Sequence, residues 1–93
     1  MVKVIWTSNA RNDLKSIFDY ISEDSNFYAK RFIDKIIKKV DVLENYPNLG
    51  RVVPEFQNPH LRELIEGNYR IVYRILKDQV QILRVHHSSK EIK

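Results

Sequence analysis

The chain has 93 residues, 43% apolar, and its 16 Lys and Arg against 12 Asp and Glu leave a net charge of +4; residues 1–93 are expected to form a single domain around one core. The absence of cysteine excludes a disulfide scaffold and a thiolate metal site. With no apolar run near the roughly 20 residues that span a bilayer, and no signal-peptide segment in MVKVIWTSNARNDL, a soluble, cytoplasmic protein is expected.

Val2, Val4 and Trp6 alternate with Lys3 and Ile5, which predicts a short strand. Thr7-Ser8-Asn9 offers helix-capping oxygens, and from Ala10 the period changes. Ala10, Leu14, Ile17 and Ile21 recur at intervals of four, three and four, with Phe18 widening the stripe and Asp13 in or near the first turn. That is an amphipathic helix ending near residues 23–25. Ser25 or Asn26 can cap a second helix, whose stripe is Ala29, Ile33, Ile36, Val40 and Leu43, reinforced by Phe32 and Ile37. Asn45-Tyr46-Pro47 stops it, because proline cannot continue the hydrogen-bond ladder. The connection between the helices is short, so they should form an antiparallel hairpin.

Residues 46–60 hold all three prolines and one of the two glycines, and predict a long loop. Residues 61–65 predict a strand, Glu66-Gly67-Asn68 a turn, and residues 69–76 the clearest strand of the chain. Lys77-Asp78-Gln79 turns again, and residues 80–87 form the last strand. The resulting order, β-α-α-β-β-β, predicts an α+β fold: a helical hairpin packed on one face of a mostly antiparallel four-stranded sheet.

Arg62, Arg70, Arg74 and Arg84 all fall in predicted strands. Alternation puts Arg70 and Arg74 on the face opposite Tyr69, Ile71, Tyr73 and Ile75. If the helices cover only the apolar face, the other should meet solvent and turn its guanidinium groups outward. Their planar forks suit phosphate and carboxylate; the plain alternative is arginine stems covering apolar area. His86 and His87 are adjacent and should point to opposite faces, with no Cys or carboxylate at ligand spacing, so no metal or cofactor is implied. Either histidine could carry a proton or simply close an exposed strand end. Gly50-Arg51 suggests a tight turn presenting an arginine. Lys30, Arg31, Lys35, Lys38 and Lys39 on the second helix are interrupted by Asp34 and Asp41, which describes a solubilising face or a contact for an anionic partner. The basic excess favours anionic partners without choosing among them.

Over almost its whole length the chain resembles the RelE/ParE superfamily of toxins from type II toxin–antitoxin pairs. Ala10, Asp13-Leu14, Ile17 and Tyr20-Ile21 are similar to the first-helix pattern A-x-x-D-L-x-x-I-x-x-Y-I, and Pro47-x-x-Gly50-Arg51 to the P-x-x-G-R that follows the second helix. Arg62-Glu63-Leu64 followed by Tyr69-Arg70-Ile71-Val72-Tyr73-Arg74 is similar to R-x-L and then Y-R-I-x-Y-x. The resemblance implies a helical hairpin on an antiparallel sheet, growth arrest, and a cognate acidic antitoxin that wraps the toxin in a hetero-oligomer.

RelE-like members are ribosome-dependent mRNA endoribonucleases, assisted by basic residues on the sheet and, in several, a late tyrosine. ParE-like members poison DNA gyrase and show no comparable nuclease site. Val85-x-His87-x-x-Lys90 fits the ParE-like tail, while no arginine follows Arg84 and no late tyrosine is present. The favoured reading is therefore a ParE-like gyrase poison that is not an enzyme, with Arg51, Arg62, Arg70, Arg74, Arg84, His86, His87 and Lys90 as candidates for binding partner or target. In the RelE-like alternative, Arg62, Arg70 and Arg74 would stabilise the pentacovalent transition state and His87 or His86 would carry the proton. A second alternative is a degenerate relative that binds its partner without toxicity.

Overall fold

In the computed structural model, which describes residues 1–88, the alternating N-terminal residues form strand β1 (Lys3–Trp6) and the change of period at Ala10 becomes helix α1 (Ser8–Ser22). Thr7 is its N-cap. The Thr7 hydroxyl accepts from Ala10 N at 3.2 Å and donates to Ile82 O at 2.7 Å, so one group both starts the helix and ties it to the sheet. Ser25 caps helix α2 (Asn26–Asp41) in the same way, accepting from Tyr28 N. A 3-10 turn, Val42–Glu44, follows and places Leu43 fully inside the core.

Strands β2 (Arg51–Val52), β3 (Leu61–Glu66), β4 (Tyr69–Ile75) and β5 (Gln79–His87) join β1 in one sheet, ordered β1-β5-β4-β3-β2. The last four pair antiparallel with one another, and β1 lies parallel to β5. The four-stranded expectation is thus corrected to a mixed five-stranded sheet. Arg51 and Val52, inside the expected loop, pair with Glu63 and Arg62. Two residues are too few to leave a recognisable period in a sequence.

Both helical stripes face the same side of the sheet. Ile17, Ile36, Val40 and Leu43 meet Leu64, Ile71, Tyr73, Val80, Ile82 and Val85, each such burial worth about 1.5–3 kcal/mol relative to exposure. The β4–β5 pairing slips by one residue: Tyr73 opposes Ile82 but Val72 opposes Arg84, which leaves Leu83 as a bulge. The bulge lets Ile82 and Val85 both enter the core, while Arg84 sits across from Val72 on the other face. Among the described residues no helix is long and apolar enough to cross a membrane.

Candidate functional site

The tight turn at Gly67, whose φ of 58° favours glycine, sets the register of the β3–β4 hairpin. Ile65 opposes Arg70, Glu63 opposes Val72 and Arg62 opposes Tyr73. Residues directly opposite share a face. Glu63, Ile65, Arg70 and Val72 therefore lie on the side away from the helices, and Arg62 lies with Tyr73 on the helical side.

Arg70 does not turn outward to solvent as expected; it is only 6% exposed. Its Nε donates to Glu63 Oε1 at 2.6 Å, and its Nη1 and Nη2 donate to the two oxygens of Glu55 at 2.8 Å each. Glu63, itself 1% exposed, also accepts from Arg51 Nε at 2.6 Å. The loop after β2 carries Glu55 onto the sheet, and a guanidinium taken out of water this far needs carboxylate partners. The bonds to Glu55 and then Glu63 raise the Arg70 pKa above the ordinary arginine range, so the group stays cationic.

Arg62 is committed differently. Its Nε donates to Pro59 O at 3.0 Å, and its Nη1 donates to Gly50 O at 3.0 Å and Asn48 O at 3.4 Å, binding together the two ends of the loop. Gly50 N donates to the Tyr73 hydroxyl at 2.8 Å, and that hydroxyl donates to Pro47 O at 2.8 Å. A Cβ on Gly50 would stand 2.5 Å from Glu63 O and 2.7 Å from the Tyr73 oxygen. The Pro47-x-x-Gly50-Arg51 stretch thus packs the loop against the buried tyrosine. Burial raises the Tyr73 pKa.

β1 ends at Trp6 opposite Ile82, so the remainder of β5 has no strand neighbour on that edge. Asp13 of α1 takes its place: Oδ2 accepts from Val85 N at 2.8 Å and from Arg84 Nε at 2.8 Å, and Oδ1 accepts from Arg84 Nη2 at 3.1 Å. Asp13 thereby raises the Arg84 pKa. His86 opposes Arg70, and His87 opposes Tyr69 with its ring edge-on at 5.4 Å. Arg84, His86 and His87 line one cavity of about 220 Å³ with Asp13, Tyr20 and Tyr69. Lys90 lies outside the described residues.

The expected positive face is consequently close to neutral: Arg51, Arg70 and Arg84 are met by Glu55, Glu63 and Asp13. Arg74 differs. It is exposed near the end of β4, and its side chain makes no hydrogen bond or ion pair with any other described residue. It lines an open cavity of about 500 Å³ with Asn58, His60, Leu61, Leu76 and Lys77. Sequence reasoning misses Glu55 and Glu63 as arginine partners, Asp13 as the acceptor at the sheet edge, and His60 and Lys77 beside Arg74. Glu63 was within reach, because a Gly67-Asn68 turn sets it diagonal to Arg70; no local signal marks Glu55.

Residues 4–92 match the family described as ParE toxin of type II toxin-antitoxin system, parDE. The chain is 34% identical over 91 residues to Toxin RelE2 of Caulobacter vibrioides, a match covering 97% of this chain and 99% of that relative. Among solved structures it is similar to a chain of the chromosomal ParDE TA system from P. aeruginosa, with a TM-score of 0.77 and 27% identity over 94% of this chain and 96% of that one. A chain of the RelBE2 toxin–antitoxin complex from Mycobacterium tuberculosis shares the fold, with a TM-score of 0.68 and 24% identity over 92% and 96% of the two chains. A helical hairpin on this mixed sheet, matched to the family along nearly its full length, makes the chain a toxin of type II toxin–antitoxin systems and a member of the ParE toxin family within the RelE/ParE superfamily.

Proposed function

We propose that this toxin arrests growth as a binding protein, trapping DNA gyrase on cleaved DNA in the ParE-like manner, without covalent chemistry of its own, and that a cognate acidic antitoxin holds it in check. The observation that carries this reading is the state of Arg62 and Arg70. A nuclease that drives attack of a 2′-hydroxyl on phosphorus needs donors aimed at the charge that develops there. Here the Arg70 fork is occupied by Glu55 and Glu63, and Arg62 donates to the carbonyls of Pro59 and Gly50. Turning Arg70 toward a substrate would first break charge-assisted bonds in a nearly buried site.

The match to the ParE toxin family supports the same branch. The P. aeruginosa relative comes from a toxin–antitoxin system, which supports an antitoxin partner here, and the net charge of +4 suits an acidic one. The test is purified chain added to gyrase and plasmid: cleaved DNA should accumulate and supercoiling should fall. Normal supercoiling in toxin excess refutes the reading. The RelE2 name of the Caulobacter relative keeps the endoribonuclease as the second reading. Cleavage of ribosome-bound message that drops by about two orders of magnitude in Arg70→Ala would replace the gyrase reading with it.

A further inference from the structure

Four of the five arginines in and beside the strands are bonded to groups of the same chain: Arg51, Arg70 and Arg84 to carboxylates and Arg62 to carbonyls. Arg74 has no such partner among the described residues. We propose that Arg74, Lys77 and His60 form a phosphate-binding subsite, whose ligand is the phosphodiester backbone of a nucleic acid or a free phosphate group.

The three residues converge for reasons of backbone geometry. Arg74 opposes Leu61 at the start of β3, and the next amide, Ile75 N, donates to His60 O at 2.8 Å, which holds His60 against the strand end. Leu76 N donates to Gln79 O at 2.8 Å, closing the turn that carries Lys77. Asn58 Oδ1 accepts from His60 N at 2.9 Å, leaving the Asn58 amide N–H₂ as a donor. These groups line the same open cavity of about 500 Å³, with Leu61, Ile75 and Leu76 as its apolar part and no carboxylate in the lining.

Guanidinium, ammonium, imidazole and the Asn58 amide each offer an N–H donor, and no carboxylate lines the cavity to compete for them. A carboxylate would satisfy the arginine fork and leave Lys77 and His60 idle. A phosphate presents enough oxygens for the fork, the ammonium and a third donor together. The apolar wall suits the sugar or base that accompanies a backbone phosphate.

The experiment uses the full-length chain, a fluorescent oligothymidylate of about 12 nucleotides read by anisotropy at low salt, and inorganic phosphate read by thermal shift and by competition. Arg74, Lys77 and His60 are exposed, so their alanine variants should keep the fold, and urea midpoints verify it. Arg74→Ala should weaken binding by about 10–100-fold, the loss of a charge-assisted contact. Lys77→Ala should lower the salt slope by about 0.7, and Lys15→Ala, on α1, should change nothing. Oligonucleotide binding well above that of phosphate identifies the backbone as ligand; an Arg74-dependent shift with phosphate alone identifies a free phosphate group. Identical behaviour of Arg74→Ala and the wild type toward both ligands overturns the proposal, as does polyglutamate bound as tightly as the oligonucleotide. Neither gyrase nor ribosomes are in the assay, so its failure leaves the gyrase reading standing.

Discussion

Replacing Glu63 by glutamine changes one oxygen for one nitrogen at the centre of the arginine network. In the native chain each carboxylate oxygen serves one arginine: Oε1 accepts from Arg70 Nε and Oε2 from Arg51 Nε, both at 2.6 Å. Glutamine supplies one acceptor and one N–H₂, so one of the two arginine donors must face another donor. Glu63 is fully enclosed and the Arg70 side chain is 7% exposed, so water cannot replace the lost anionic charge beside Arg70, whereas Arg51, 62% exposed, can turn to solvent. Arg70 keeps its two bonds to Glu55, so the loss is that of a charge-assisted bond in a buried site, about 1.5–3 kcal/mol, against a total stability of about 5–14 kcal/mol for a chain of this length. Urea unfolding at neutral pH should therefore show the Glu63→Gln midpoint lowered by about 1–2 M. Two controls sharpen the reasoning. Arg51→Ala removes a cation whose side chain is 62% exposed and should cost under about 1 kcal/mol. Glu63→Leu with Arg70→Met, which takes both charges out of the buried site, should recover most of the loss. A Glu63→Gln protein within about 0.5 kcal/mol of wild type would show that the bond from Glu63 contributes little to the fold and does not lock Arg70.

Gly50→Ala puts a Cβ within 2.5 Å of Glu63 O and 2.7 Å of the Tyr73 oxygen; the backbone must shift, and calorimetry should show at least about 1–3 kcal/mol lost. Tyr73→Phe removes a hydroxyl with two backbone partners, Gly50 N and Pro47 O, and should cost about 1–3 kcal/mol in the same measurement. It should also flatten the alkaline limb. Burial raises the Tyr73 pKa, so the folded chain holds that proton more tightly than the unfolded one; the contribution is complete below about pH 10 and is lost as pH rises through the folded value. A wild-type stability curve no steeper above pH 10 than that of Tyr73→Phe would contradict this. At the sheet edge, Asp13→Ala leaves Val85 N without its acceptor and should cost about 1–3 kcal/mol. Asp13→Asn, which can still accept that bond, should cost less, and hydrogen exchange at Val85 should accelerate only in the alanine variant.

What could be read from the chain alone is what repeats over short distances. Ala10, Leu14, Ile17 and Ile21 recur with the turn of a helix, Tyr69 to Ile75 alternates with the pleat of a strand, and Pro47 and Gly67 mark where each must stop. Those local periods determined the helical hairpin, the three-strand meander and the side of the sheet that is buried, and the Gly67-Asn68 turn determined which residues of β3 and β4 face each other. Periodicity carries no information about which distant groups meet. Only the tertiary path laid Glu55 across Arg70 from fifteen residues away, brought Asp13 to Arg84 over a separation of 71, and set β1 parallel beside β5. The same holds for charge: the arginines were visible in the sequence, but whether each is neutralised depends on carboxylates delivered by loops and helices. A guanidinium that loses its water must find an anion wherever the fold supplies one: buried Arg70 finds Glu55 and Glu63, while Arg74 stays exposed to water and meets no anion among the described residues.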